Sequence, residues 1–185
     1  PTPDRGRIGR AGEQRVSLPR LLQPDWLASG TLADLPLEPF RRQGIRALVL
    51  DVDRTLLPRR QAQLPAPVEL WLQQAKAELH LHLFSNNPSR DRIGAVARQL
   101  GVSFTTAAGK PRRSALRRVL ADLQLPHGQV ALVGDRLFTD VLAGNRMGLF
   151  TVLVKPVDPA GKPCQRDRLQ AAEVRLARWL GADLH

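Results

Sequence analysis

One cysteine and one methionine occur in the chain, tyrosine is absent, and aromatic residues make up only 4% of it. A lone Cys164 excludes an internal disulfide framework and any multi-cysteine zinc site. So few rings supply poorly the stacking platforms on which single-stranded nucleic-acid binders depend. Apolar runs such as Ala131-Leu132-Val133 and Val152-Leu153-Val154 fall far short of the ~20 residues that a membrane-spanning helix needs. The N-terminal residues show no apolar core of a secretory signal.

Positive charge is what the chain has in excess. Lys plus Arg is 28 against 17 for Asp plus Glu, a net charge of +11 and a pI near 11.4. Almost all of it is arginine, which binds phosphates and carboxylates in a bidentate fork. Charge alone leaves three readings open: a solvated basic surface, a nucleic-acid binder, or a protein that meets an anionic lipid. Hydrophobic residues at 43% are ordinary for a globular protein, and 185 residues suit one domain with a sizeable core.

Residues 1–16 interleave Arg5, Arg7, Arg10 and Arg15 with Gly6, Gly9 and Gly12, lack periodic apolar positions, and are expected to form a flexible basic arm. The sequence begins without Met, so a processed organellar transit remnant stays open beside a cytoplasmic location. Residues 17–40 carry Leu21, Leu22, Trp26, Leu27 and Phe40 between prolines and are expected as short ordered pieces; Trp26 with its leucines, flanked by Arg15 and Arg20, either packs on the sheet or docks on a membrane. Thereafter strand and helix alternate. Strands are expected at 45–51, 79–84, 102–105, 129–133 and 149–154, and helices at 68–79, 91–100, 114–125, 139–147 and 168–180. Gly101 is a candidate C-cap. The alternation implies an α/β fold with a central parallel sheet covered on both faces. The domain is expected over 17–158, with 159–185 a C-terminal loop and an amphipathic helix (Leu169, Ala172, Leu176, Leu180) packed on it.

In such sheets ligands sit beyond the carboxyl ends of the strands. Asp51-Val52-Asp53-Arg54-Thr55 follows the first of these strands, Ser85-Asn86-Asn87 the second, Gly109-Lys110-Pro111 the third, and Gly134-Asp135 with Thr139-Asp140 the fourth. Asp51 and Asp53 are two apart and share a face of an extended segment. Their carboxylates would repel unless a hard cation such as Mg²⁺ lay between them, with Asp135 completing an oxygen donor set. The set suits phosphoryl transfer. Asp51 would attack phosphorus and form an aspartyl-phosphate, and Asp53 would protonate the leaving oxygen and then activate water. Ser85 and Lys110 would hold the phosphoryl oxygens, with Thr55 and Asn86 beside them as substrate-binding candidates.

These residues resemble the haloacid dehalogenase (HAD) superfamily. Its four motifs match as Asp51-x-Asp53-x-Thr55, Ser85, Lys110 and Gly134-Asp135-x-x-x-x-Asp140. The resemblance implies a three-layer Rossmann-like core and a phosphatase with Asp51 as nucleophile and Asp53 as general acid/base. It further implies Mg²⁺ held by Asp51, the Asp53 carbonyl and Asp135, with Asp140 supporting. More narrowly, Leu21–Asp25, Gly44–Asp51 and Val133–Gly148 resemble the YqeG-type subfamily III-A phosphatases, a group that includes phosphatidylglycerophosphate phosphatases. That narrower likeness implies phosphatidylglycerophosphate as substrate and phosphatidylglycerol as product. One departure is Arg54, where the family often has Asn; it either adds a phosphate contact or faces solvent.

Only 34 positions separate Asp51 from Ser85, and 25 separate Ser85 from Lys110. Each gap holds a helix and a strand, so neither has room for a cap domain of about 50 residues. A bulky or surface-bound phosphate could therefore reach the site, and an anionic lipid head group with peripheral membrane contact fits the basic surface. A sugar phosphate, nucleotide or phosphoprotein remains an alternative substrate, and a nucleic-acid-binding scaffold, not favoured, is the non-enzyme alternative. Arg112, Arg113, Arg117 and Arg118 form a basic cluster that either faces solvent or attracts anions. His80 and His82 are expected to be sheet residues rather than metal ligands.

Overall fold

The computed structural model describes residues 17–59, 61–165 and 167–184; the expected basic arm lies outside the described residues. The elements run α1 (Leu18–Leu21), β1 (Trp26–Leu27), a 3-10 turn (Leu32–Asp34), α2 (Glu38–Arg42), β2 (Ala47–Leu50), α3 (Ala66–Glu78), β3 (His80–Phe84), α4 (Arg90–Leu100), β4 (Ser103–Thr105), α5 (Ser114–Leu123), β5 (Val130–Gly134), a π turn (Leu137–Val141), α6 (Leu142–Asn145), β6 (Phe150–Leu153) and α7 (Arg168–Trp179).

The strands form one parallel sheet in the order β1-β6-β5-β2-β3-β4. Their side chains alternate between two buried layers, as the two-residue period requires. Leu48, Leu50, Leu81, Leu83 and Val133 pack with Val68, Trp71 and Leu72 of α3 and Ile93, Val96 and Ala97 of α4. Ala47, Val49, Val130 and Leu132 pack on the other side with Leu116, Val119 and Leu120 of α5. Helices thus cover both faces, and the expected three-layer α/β architecture is what the chain adopts. The connections between β2 and β3 and between β3 and β4 each hold a single helix, and no cap domain interrupts them among the described residues.

The chain crosses from β2 out to β3 and β4, then returns to β5 on the other side of β2. That reversal opens a crevice at the carboxyl ends of β2 and β5. Local signals place the helices around it. Ser89 accepts from Arg92 N at 3.4 Å to start α4, and Gly101 ends it in the left-handed region at φ 63°.

Three features differ from the sequence expectation. A sixth strand, β1, joins the sheet edge beside β6, and Asp25 fastens it by accepting from Thr151 N at 2.7 Å. Trp26 packs on the Phe40 ring at 5.6 Å between centroids, so this segment covers the sheet rather than forming a docking edge. The helix expected over 139–147 begins earlier, as a π turn, because Asp140 folds back to accept from Arg136 N at 3.1 Å and the widened turn makes room for it. Last, α7 is held to the core by Gln170, Glu173 and Ala177, while Leu169, Ala172 and Leu176 face outward.

Candidate active site

The residues after β2, β3, β4 and β5 converge on a notch of about 140 Å³ lined by Asp51, Asp53, Arg54, Asn86, Lys110, Asp135, Arg136, Thr139 and Asp140. Lys110 is its electrostatic centre. Its ammonium donates to Asp51 Oδ1 at 2.5 Å and to the Phe84 carbonyl at 3.0 Å, and lies 2.7 Å from Asp140 Oδ1. Burial opposes that charge, but the Asp140 and Asp51 carboxylates outweigh it and raise the lysine's pKa. Thr55 donates to the other Asp51 oxygen at 2.9 Å. Asp51 is therefore gripped at both oxygens.

Carboxylate oxygens of Asp51, Asp135 and Asp140, all three buried, lie within 4.8 Å of one another. Burial first, and Asp140 beside it, push the Asp51 carboxyl up to about 6, against the pull of Lys110. Burial and then the Asp51 and Asp140 charges push Asp135 up to about 8, against Arg54 and Arg136. Asp135 Oδ2 is buried with no hydrogen-bond donor; Arg54 Nε faces it at 3.5 Å. A crowded, all-oxygen, under-satisfied carboxylate set is what a small hard cation neutralises, so these residues fit Mg²⁺.

Asp53 stands at the mouth of the notch. Ser85 Oγ donates to its Oδ2 at 3.0 Å, and Arg92 of α4 pairs with its Oδ1. Ser85 Oγ also accepts from Asn87 N at 3.0 Å. Asn86 ties the β3 loop to the β4 loop, its Oδ1 accepting from Lys110 N at 2.7 Å and its Nδ2 donating to Lys110 O at 3.2 Å. All eight residues singled out in the sequence thus belong to one constellation, with Asn86 acting as a tie between loops.

Sequence reasoning singled out Arg54 only as a departure from the family pattern and missed the other supports. Arg54 sits in the left-handed region at φ 70°, where Asn is at ease and a longer side chain is strained; its guanidinium pairs with Asp135 and with Asp167, the N-cap of α7. Gln170 Nε2 donates to the carbonyls of Asp135 and Val154, both at 2.7 Å. Glu173 accepts from Leu137 N at 2.9 Å and from Arg136 Nε at 2.7 Å. His82 shares hydrogen bonds with Ser103 and Thr105, and burial lowers it to about 4, so it is a sheet residue as expected. The basic cluster Arg112, Arg113, Arg117 and Arg118 is exposed.

A HAD-hydrolase-like family model matches residues 107–172. The chain is 33% identical over 122 residues to the probable phosphatase YqeG of Bacillus subtilis, covering 65% of this chain and 70% of that one. It is 28% identical to the chloroplastic phosphatidylglycerophosphate phosphatase 1 of Chlamydomonas reinhardtii, covering 94% of this chain and 66% of the relative. An uncharacterised protein from Listeria monocytogenes serotype 4b has a similar fold, with a TM-score of 0.51 at 16% identity over 74% of this chain and 98% of that one. Fold, site and relatives together define a phosphoric monoester hydrolase of the HAD class. Within that class, the chain belongs to the family of the YqeG-type phosphatases.

Proposed function

We propose that the chain is a Mg²⁺-dependent phosphomonoesterase that works through an aspartyl-phosphate on Asp51 and acts on phosphatidylglycerophosphate, with 17–158 as its catalytic domain. The observation that carries the chemistry is the double grip on Asp51. Lys110 and Thr55 each hold one carboxylate oxygen, which fixes the nucleophile's orientation before substrate arrives. The lipid assignment is supported by the relatives named for that activity in Chlamydomonas reinhardtii and Arabidopsis thaliana, of which this chain covers 66% and 44%.

Asp51 attacks phosphorus in line with the ester oxygen. The P–O bond to the alcohol breaks, and Asp53, within reach of Ser85 and Arg92 at the mouth, gives the alkoxide its proton. Asp53 then takes a proton from water, whose oxygen attacks the aspartyl-phosphate, releasing phosphate and restoring Asp51. Ser85 and Lys110 hold the phosphoryl oxygens. Asp51, Asp135 and the Asp53 carbonyl would hold Mg²⁺, which when bound supplies positive charge against the phosphoryl oxygens. Asp140 holds Lys110 in place.

The test is phosphate release from an aryl phosphate, and from phosphatidylglycerophosphate in mixed micelles against a panel of soluble phosphates. Mg²⁺-dependent turnover that Asp51→Asn abolishes is expected, with the lipid phosphate preferred. Unchanged turnover in that variant would sink the nucleophile assignment, and a clear preference for a soluble phosphate would reject the lipid.

A further inference from the structure

The outward stripe of α7 is too apolar for a face left to water. Leu169, Leu176 and Trp179 are 43%, 48% and 80% exposed. With Ala172 they recur every three or four residues along an exposed flank of the helix, next to the side that buries Gln170, Glu173 and Ala177. Leu18 and Leu70 are the only other large apolar side chains as exposed among the described residues. Scattered exposed leucines are ordinary, but three of five gathered on one helix face are not.

The charge on the same helix has one sign. Arg168, Arg175 and Arg178 are exposed, while the helix's single acidic residue, Glu173, is turned inward to Arg136. Successive helical residues advance by about 100°, which puts Arg168 and Arg175 along one border of the stripe. A basic border, an apolar face and a terminal tryptophan are the chemistry of a helix lying in a lipid interface. A second copy of this chain fits poorly, because two such faces would bring arginines together with no exposed acidic partner on either helix.

We infer that α7 docks on an anionic lipid surface. The helix lies along it, with Leu169, Leu176 and Trp179 at the boundary between head groups and acyl chains and the arginines on the acidic head groups. The N-terminal end of the helix is tied to the edge of the catalytic notch through the pairing of Asp167, its N-cap, with Arg54. A hollow of about 460 Å³, lined by Arg54, Arg59, Val157, Arg168 and Leu169 among others, lies between them, and Arg54 lines both. A docked molecule therefore holds its notch beside the bilayer, and a lipid phosphate has a short route through the hollow. That route rests on the phosphatase reading; the docking does not.

The experiment is flotation of the full chain with vesicles of phosphatidylcholine, alone or with about 30% phosphatidylglycerol, together with tryptophan emission. Binding only to the anionic vesicles and a blue shift from Trp179 are expected. The double variant Leu176→Gln/Trp179→Gln should lower partitioning about 10-fold and Arg175→Gln about 5-fold. Both variants should keep the melting temperature and the turnover of a soluble aryl phosphate. Equal binding by the double variant, or no preference for anionic vesicles, overturns the inference. So does a wild-type dimer without lipid that the double variant splits into monomers. Intact vesicle binding without phosphate release would uphold the docking and reject the phosphatase reading, so the two fail separately.

Discussion

Gly134 has no room for a side chain. A Cβ there would lie 2.3 Å from Asp140 Oδ2, in the carboxylate that steadies Lys110. Gly134→Ala should therefore lower stability by about 1–3 kcal/mol and turnover by a larger factor than its effect on melting suggests; parallel melts and rates check both. Asp51 and Asp135 give a second expectation. Burial favours their protonated forms, and their folded-state pKa values, about 6 and about 8, lie above the ordinary 3.8. In metal-free protein the stability they contribute is full below about pH 4 and lost as pH rises through 6 and then 8. Mg²⁺ binds the ionised forms, so its gain in melting temperature should be larger at pH 8 than at pH 5. Equal gains at both would mean that these carboxylates do not hold the ion. Asp51, Asp53, Ser85, Lys110 and Asp135 were legible from sequence because each directly follows a strand or sits in the loop beyond it. Arg92, Gln170 and Glu173 were not. Arg92 reaches Asp53 across 39 positions, and Glu173 reaches the Arg136 guanidinium across 37, with no local pattern to mark either pair.

Among the elements, α7 has two occupations on its two sides. Its inner side braces the loop after β5, where Gln170 holds the Asp135 carbonyl and Glu173 holds the Leu137 N–H. Glu173→Gln leaves Arg136 without its carboxylate and should cost about 1–3 kcal/mol. It should also raise the Mg²⁺ concentration that half-saturates both activity and the thermal shift. A stability loss with unchanged Mg²⁺ response would make the brace merely structural. The apolar stripe of this helix was read correctly as amphipathic, but periodicity does not say which side faces in. Here the inward side is set by the hydrogen bonds of Gln170 and Glu173 together with Val174, Ala177 and Leu180, which pack around Leu22 and Leu137. β1 escaped notice for a simpler reason: two residues are too few for an alternation to register.

At the scale of the whole molecule, a small acidic notch is set in a chain of net charge +11. A field of that sign draws anionic substrates from solution and is screened over about 8 Å at physiological salt. Raising salt from about 20 to 300 mM should lower kcat/KM for an anionic phosphate several-fold and leave kcat nearly constant. A fall confined to kcat would place the salt effect in the chemistry instead. Motif order put carboxylates after separate strands, but the reversal that sets β5 beside β2, and so Asp135 beside Asp51, was not legible there, because strand order depends on contacts between distant segments.

The clamp on Asp135 bears on when activity can begin. Asp51, Lys110 and Asp135 follow β2, β4 and β5, but the groups that hold the Asp135 loop, Gln170 and Glu173, come from α7, after the last strand. During synthesis the sheet can close before α7 has left the ribosome, yet the loop that carries Asp135 is fastened only when that helix arrives. The site is thus complete only once α7 has followed the strands into place, and the same helix that completes it is the one that would carry it to a lipid surface.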